Sequence, residues 1–234
     1  MDKAVFSPRA NIRYNPTQDV NIRFSYAEGF RAPQAFDEDL HISNVGGELV
    51  SIVRAEGLKE ERSRSFNASV DWYHYFGDFQ ANLLVEGFYT KLSDPFVLTP
   101  PVKDPDGSAY LIQTRINGSG AKVYGGTLEG KVAYKDKVQL QAGLTLQRSI
   151  YDSPEEWSAD EEHLSEKERY SDKILRTPDV YGYFTATYMP VKAFSIALNG
   201  NYTGRMYVPH LLSEVNGEAD VLVKSPDFFE LGTK

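Results

Sequence analysis

The chain of 234 residues has a formal net charge of −8 and contains 15 Tyr and 13 Phe but no Cys. The lack of cysteine excludes a disulfide scaffold, a thiolate metal site and a cysteine nucleophile. The acidic balance argues against nucleic acid as a partner, because phosphate contacts need a basic surface. The aromatic content favours strands over helices, and no run of about 18 apolar residues predicts a transmembrane helix.

Apolar and polar residues alternate along successive segments, which is the pattern of strands with one apolar and one polar face. The clearest segment runs from Val138 to Gln147, where every second residue is Val, Leu or Ala. The segments predicted as full strands are residues 6–14, 20–27, 66–72, 79–88, 124–134, 138–147, 184–188 and 194–202. The chain therefore provides about eight full strands, and a ninth begins near Phe229.

The links between these strands alternate between short and long. In chain order they lie near Asn15, at 29–61, near Gly77, at 94–107, near Asp136, at 152–177, near Val191 and at 207–226. In an antiparallel meander this order places every tight turn at one end and every long loop at the other, as in outer-membrane barrels. The sequence thus predicts an all-β, antiparallel up-and-down meander over residues 1–234 that forms a section of a transmembrane β-barrel.

The two faces of the predicted strands differ in chemistry. The polar face carries both signs of charge, for example at Arg23 and Asp71. The apolar face has aromatic residues beside the short turns, at Tyr14, Phe79, Tyr134, Tyr188 and Phe194. Such aromatic residues are typical of the belt at a membrane–water interface. An alternative is a soluble β-rich ligand-binding or adhesion module whose apolar face packs on itself or on a partner.

Several motifs resemble the TonB-dependent outer-membrane receptors. Residues 7–40 are similar to the mid-barrel signature of that family, and Gly29 to Pro33 reads Gly-Phe-Arg-Ala-Pro. Residues 57–63 resemble the Leu-Lys-Pro-Glu stretch that follows, although Glu60 stands where Pro is usual. Weaker similarities lie at 88–95, at 124–129 and at Thr177-Pro178, so the resemblance spans almost the whole chain.

This resemblance implies a location in the Gram-negative outer membrane and a barrel of about 22 strands filled by an N-terminal plug. It also implies import of a scarce nutrient such as an iron chelate or cobalamin. The expected partners are outer-membrane lipid, the small-molecule nutrient, and TonB through an N-terminal part. On this interpretation the chain is a C-terminal barrel portion without the plug, and it cannot transport a nutrient by itself.

Residues 152–177 are predicted to form a long acidic extracellular loop. Ser153, Pro154, Glu155 and Glu156 have the chemistry of a helix start, so we expect a short helix there. A divalent-cation site around His163 is the alternative, but the spacing matches no EF-hand or His-Glu-x-x-His pattern. We therefore expect no metal and no cofactor.

Four residues in loops or at strand ends are candidates for contact with a polar or aromatic ligand: Arg31, Trp157, Tyr170 and Tyr207. The alternative role for each is packing within the loops or in the aromatic girdle, and for Arg31 a structural role at the upper end of its strand. No catalytic residues are expected, because the sequence contains no nucleophile elbow and only four His. A glycan-acting enzyme would need paired carboxylates; Glu86 and Glu129 share the polar face, but nothing in the sequence relates them as a pair.

Overall fold

The computed structural model describes residues 5–33, 49–103, 110–213 and 217–234. These residues contain sixteen strands. In chain order they are β1 (Arg9–Tyr14), β2 (Val20–Arg31), β3 (Leu49–Arg54), β4 (Glu61–Phe76), β5 (Phe79–Ser93), β6 (Phe96–Leu98), β7 (Val102–Lys103), β8 (Tyr110–Asn117), β9 (Ala121–Tyr134), β10 (Val138–Glu156), β11 (Tyr170–Lys173), β12 (Val180–Val191), β13 (Phe194–Thr203), β14 (Tyr207–His210), β15 (Val221–Lys224) and β16 (Phe228–Thr233). Among the described residues, no helix has the length and apolar character needed to cross a membrane.

Nine strands form one antiparallel meander in the order β1, β2, β4, β5, β9, β10, β12, β13, β16, and β11 pairs with the end of β10. Each segment predicted from the alternation lies in one of these nine strands, except that residues 6–8 precede β1. The connections after β1, β4, β9 and β12 are short turns, whereas those after β2, β5, β10 and β13 are long. The all-β meander with sorted turns and loops is therefore confirmed. We refer to its two ends as the short-turn end and the long-loop end.

The register of the meander aligns the apolar residues of neighbouring strands. Val70 of β4 lies opposite Ile22 of β2 and Val85 of β5, and Val85 lies opposite Leu128 of β9. Because side chains alternate with a period of two, this register places the intervening polar residues together on the other face. The sheet therefore has one continuous apolar face and one polar face.

Burial in this sheet is the reverse of that in a soluble protein. Apart from Pro and Gly, Ala121 is the only apolar residue that is buried among the described residues, whereas Asn21, Asp71 and Thr145 of the polar face are buried. Large apolar side chains of the other face stay about half exposed, including Leu128 at 52%. The described residues provide no cover for this face, which is typical of a barrel wall whose outer surface contacts lipid.

Aromatic side chains gather at the short-turn end, where the sequence predicted them. The ring of Phe79 lies 5.3 Å from that of Phe76 and 4.7 Å from that of Tyr134, measured between centroids. Tyr188 and Phe194 are about half exposed on the same apolar face. Such a cluster of rings is typical of the aromatic belt at a membrane–water interface.

The long loops contain strands that the alternation does not predict. β3 pairs with β8 in parallel, and β6 and β7 pair with β8 in antiparallel fashion. β14 and β15 form a separate hairpin. Parts of three predicted loops, residues 34–48, 104–109 and 214–216, lie outside the described residues, as does the end of the motif at 7–40.

The prediction of a short helix at residues 153–156 is wrong. These residues extend β10, and Glu155 and Glu156 lie opposite Ser171 and Tyr170 of β11. The backbone N–H of Ser153 donates to the Ser119 hydroxyl at 3.1 Å. Pairing with a distant segment satisfies the backbone in an extended conformation and overrides the local preference for a helix start.

Candidate ligand-binding site

A cavity of about 780 Å³ lies at the long-loop end. It lies between the β10–β11 region and the β14–β15 hairpin. Its lining residues are Pro154, Glu166, Lys167, Tyr170, Ser171, Asp172, Lys173, Tyr207 and Leu222. Two of the four predicted ligand residues, Tyr170 and Tyr207, therefore line the same cavity.

Strand pairing in the loops positions both tyrosines. Tyr170 begins β11 and lies opposite Glu156 of β10. Tyr207 begins β14 and lies opposite Lys224 of β15, whose ammonium is 5.8 Å from the centroid of the Tyr207 ring. The carbonyl of Tyr207 accepts a hydrogen bond from the Arg176 N–H at 2.8 Å, which attaches the hairpin to the chain that enters β12. The tyrosines are thus held by backbone hydrogen bonds.

Three buried polar residues, Ser158, Asp160 and Asp220, connect the two loops that line the cavity; we call them the loop clamp. The Ser158 hydroxyl donates to Asp220 Oδ2 at 2.6 Å, and the Asp220 N–H donates to Asp160 Oδ2 at 3.0 Å. Asp220 Oδ1 accepts the N–H groups of Leu212 and Ser213 at 2.7 and 2.8 Å. Sequence reasoning missed the clamp, because acidic residues in acidic loops look solvated.

His163 completes the loop clamp. Its Nδ1 lies 2.9 Å from Asp160 Oδ1, and this hydrogen bond raises the pKa of His163 above its ordinary value of 6.5. Burial alone would raise the pKa of the Asp160 carboxyl. Hydrogen bonds from the Asp220 backbone and from His163 have a larger combined effect, so the net shift lowers the pKa of Asp160. A negative Asp160 beside a positive His163 is therefore favoured.

The other two predicted ligand residues lie elsewhere. Trp157 donates its Nε1–H to the Glu168 carbonyl at 2.9 Å, so the indole is engaged within its own loop. The Arg31 guanidinium lies 5.5 Å from the centroid of the Phe96 ring, at the end of β2. In the sheet order β4, β5 and β9 separate β2 from β10. Arg31 and Trp157 thus do not line the cavity with Tyr170 and Tyr207.

A network on the polar face of the sheet engages the Glu129 carboxylate. It accepts a hydrogen bond from the Tyr183 hydroxyl and lies 2.9 Å from the Lys131 ammonium, and Gln141 donates to the Tyr183 oxygen at 2.7 Å. Glu86 lies opposite Thr127, two residues from Glu129 along β9. No group of three or more His, Asp or Glu residues in the described part of the chain is arranged to hold a metal ion.

Comparison with solved structures identifies the same fold at low sequence identity. The FrpB iron transporter from Neisseria meningitidis is 15% identical with a TM-score of 0.58, over 97% of this chain and 31% of that one. The copper transporter OprC is 14% identical with a TM-score of 0.57, over 97% of this chain and 30% of that one. The siderophore receptor PiuA from Acinetobacter baumannii is 17% identical with a TM-score of 0.59, over 96% of this chain and 28% of that one. The chain thus spans about a third of the length of these structures.

The comparison with family models identifies the family of the chain, whereas the comparison with solved structures identifies only its fold. A search among curated proteins found no match to the sequence. The family model described as "TonB dependent receptor-like, beta-barrel" matches residues 1–228, which is nearly the whole chain. The match confirms the family expected from the motifs and favours a membrane barrel over a soluble module. The chain belongs to the TonB-dependent receptor β-barrel family, whose members are outer-membrane proteins of Gram-negative bacteria.

Proposed function

We propose that the protein supplies part of the barrel wall and the extracellular ligand site of a receptor for TonB-dependent uptake of a scarce nutrient. The observation that carries this proposal is the cavity of about 780 Å³ at the long-loop end, with Tyr170 and Tyr207 in its lining. In outer-membrane barrels the long loops face the cell exterior. The cavity volume falls within the range of about 300–1,000 Å³ that suits small-molecule ligands.

The cavity lining suits an amphipathic ligand with anionic oxygens. The two phenol rings can stack on a planar group of the ligand. Lys167 and Lys173 offer ammonium groups to its negatively charged oxygens, and Glu166 and Asp172 of the same lining offer carboxylates to its hydrogen-bond donors. An iron chelate has this character more than cobalamin does. The names of the FrpB, OprC and PiuA structures, which refer to iron, copper and siderophore transport, support a metal chelate as the ligand class.

Energy coupling by TonB is proposed to involve parts of the receptor outside the described strands. The FrpB structure is matched over only 31% of its length, so this chain corresponds to part of such a transporter. We further infer that the chain has no catalytic role. This inference is supported by the Glu129 carboxylate, which is engaged with Tyr183 and Lys131 rather than paired with Glu86.

The test measures ligand binding to the protein in detergent, with a ferric tris-catecholate, a ferric hydroxamate and cyanocobalamin as probes. We expect at least one iron chelate to bind, and the double variant Tyr170→Ala/Tyr207→Ala to weaken that binding about tenfold or more through loss of buried ring contacts. Tyr75→Ala is the matched control, because Tyr75 is 65% exposed near the short-turn end. Equal affinities of the double variant and the control would contradict the proposal.

A further inference from the structure

The cavity at the long-loop end has two walls that belong to different loops. One wall is formed by the end of β10, by β11 and by the loop between them at residues 157–169, and it includes Glu166 and Tyr170. The other wall is the β14–β15 hairpin, which contributes Tyr207 and Leu222. The shape of the cavity therefore depends on where the hairpin lies relative to the β10–β11 loop.

The hairpin is attached to the chain at its base and at its tip. At the base, the Tyr207 carbonyl accepts the Arg176 N–H at 2.8 Å. At the tip, Asp220 precedes β15 and contacts the β10–β11 loop through the Ser158 hydroxyl and the Asp160 carboxylate, which are members of the loop clamp. Breaking the clamp would leave the hairpin held at its base alone. The hairpin could then pivot away from the opposite wall and open the cavity.

The loop clamp brings two buried carboxylates together, one from each wall. Asp160 Oδ2 accepts the Asp220 N–H at 3.0 Å, and both residues are buried. Two carboxylates in such a place repel each other when both are charged, unless a cation faces them. His163 makes the ion-pair contact with Asp160, at 2.9 Å from Nδ1 to Oδ1. A protonated His163 therefore lowers the cost of closing the clamp, and a neutral His163 does not.

The charged groups around His163 come from both walls. The hydrogen bond with Asp160 raises the pKa of His163 most, burial opposes it, and the charges of Asp160, Glu162 and Asp220 raise it further. Asp220 belongs to the hairpin, and the other two carboxylates belong to the β10–β11 loop. Arg169 of that loop is engaged with two other carboxylates. Departure of the hairpin would remove the Asp220 charge and hydrate Asp160, so His163 would hold its proton less tightly.

We propose that the loop clamp is a proton-operated latch, which keeps the cavity closed while His163 is protonated and releases the hairpin when His163 loses its proton. The inference rests on the proposed function for its ligand. A ligand that contacts both walls binds the closed cavity more tightly than the open one, so ligand and proton favour the same state. Ligand binding should therefore be tighter in mildly acidic solution and should be accompanied by proton uptake.

The first test follows the latch without any ligand. Because the chain contains no Cys, spin labels attach selectively to Ser153→Cys on β10 and Val223→Cys on β15, two exposed positions on the two walls. Pulsed electron paramagnetic resonance of the protein in detergent measures the distance between the labels. We expect a short distance below about pH 6.5 and a longer, broader distribution above the folded pKa of His163. A distribution that does not change with pH would overturn the proposal.

The second test measures ligand affinity and proton uptake by calorimetric titration with the ferric hydroxamate and the ferric tris-catecholate, in buffers of different ionisation enthalpy. We expect affinity to fall about fivefold or more as pH rises through the folded pKa of His163. His163→Gln should abolish this dependence and the change in label distance.

The matched control is His210→Gln, which alters an exposed His of the same hairpin and should preserve both effects. Chelate binding that does not vary with pH would overturn the latch and leave the proposed function standing. If no probe binds at any pH, the proposed function fails, and the label distances still decide whether the latch opens.

Discussion

At the residue scale, the loop clamp concentrates buried charge where the chain has few apolar contacts. Asp160 is 5% exposed and Asp220 is 3% exposed. Asp160 accepts hydrogen bonds from the backbone N–H groups of His163 and Asp220. Asp220 accepts hydrogen bonds from the Ser158 hydroxyl and the Ser213 N–H. Buried carboxylates are stable only when such donors replace water. The geometry of the cavity therefore depends on a small number of polar contacts, and we expect the His163–Asp160 pair to make it sensitive to pH.

The direction of this pH dependence follows from the pKa shifts of His163 and Asp160. The pKa of His163 is raised in the folded loop, so its stabilising contribution is present below about pH 6.5 and is lost as pH rises through the folded value. The pKa of Asp160 is lowered, so its contribution is present above about pH 3.9 and is lost as pH falls through its folded value. The clamp should therefore be most stable in mildly acidic solution.

Hydrogen exchange of residues 158–165 checks this expectation, after correction for intrinsic rates. Protection should be highest below about pH 6.5 and should fall as pH rises through the folded pKa of His163, and the variant His163→Gln should remove most of that change. A titration of His163 by NMR provides an independent measurement. A His163 pKa at or below 6.5 would show that the contact with Asp160 does not form in solution.

At the element scale, each long strand of the meander meets two different environments. In β9, Leu128 points outward and is 52% exposed, while Thr127 on the opposite face shares a hydrogen bond of 2.9 Å with Thr145. In a soluble sheet, a charged residue would be tolerated at an exposed position on either face, whether the native residue there is apolar or polar. A membrane barrel would not, because the outward position lies in hydrocarbon.

Leu128→Arg should therefore destabilise the barrel by about 2–4 kcal/mol when it folds into lipid vesicles. Gln139→Arg, an exposed position on the polar face of β10, is the control and should change stability by less than about 1 kcal/mol. Urea titrations of vesicle-inserted protein give both values. Similar costs at the two positions would contradict the assignment of the apolar face to lipid.

At the scale of the whole molecule, the exposed apolar face dominates behaviour in solution. Large hydrophobic side chains are exposed on every strand of the meander, and apart from Pro and Gly only Ala121 among the described apolar residues is buried. A continuous apolar surface of this kind associates in water. We expect oligomers or aggregates in size-exclusion chromatography without detergent and a single defined species with detergent. A monodisperse monomer in plain buffer would count against a lipid-facing wall.

The sequence by itself determined the strands of the meander, the sorting of turns and loops, and the family. Alternation and turn chemistry are local properties, so residues such as Val138 to Leu146 carry them without help from distant parts of the chain. The motif Gly29 to Pro33 is equally local. These features therefore could be predicted before the structure was known.

Only the tertiary structure decided how the long loops are built. The parallel pairing of β3 with β8, the extension of β10 through Glu156, and the contacts of Asp220 with Ser158 all join segments far apart in the chain. The same non-local pairing brought Tyr170 and Tyr207 to one cavity and left Arg31 and Trp157 outside it. Local preferences are weak compared with backbone pairing and the burial of polar groups, so the loops follow the contacts that tertiary structure makes available.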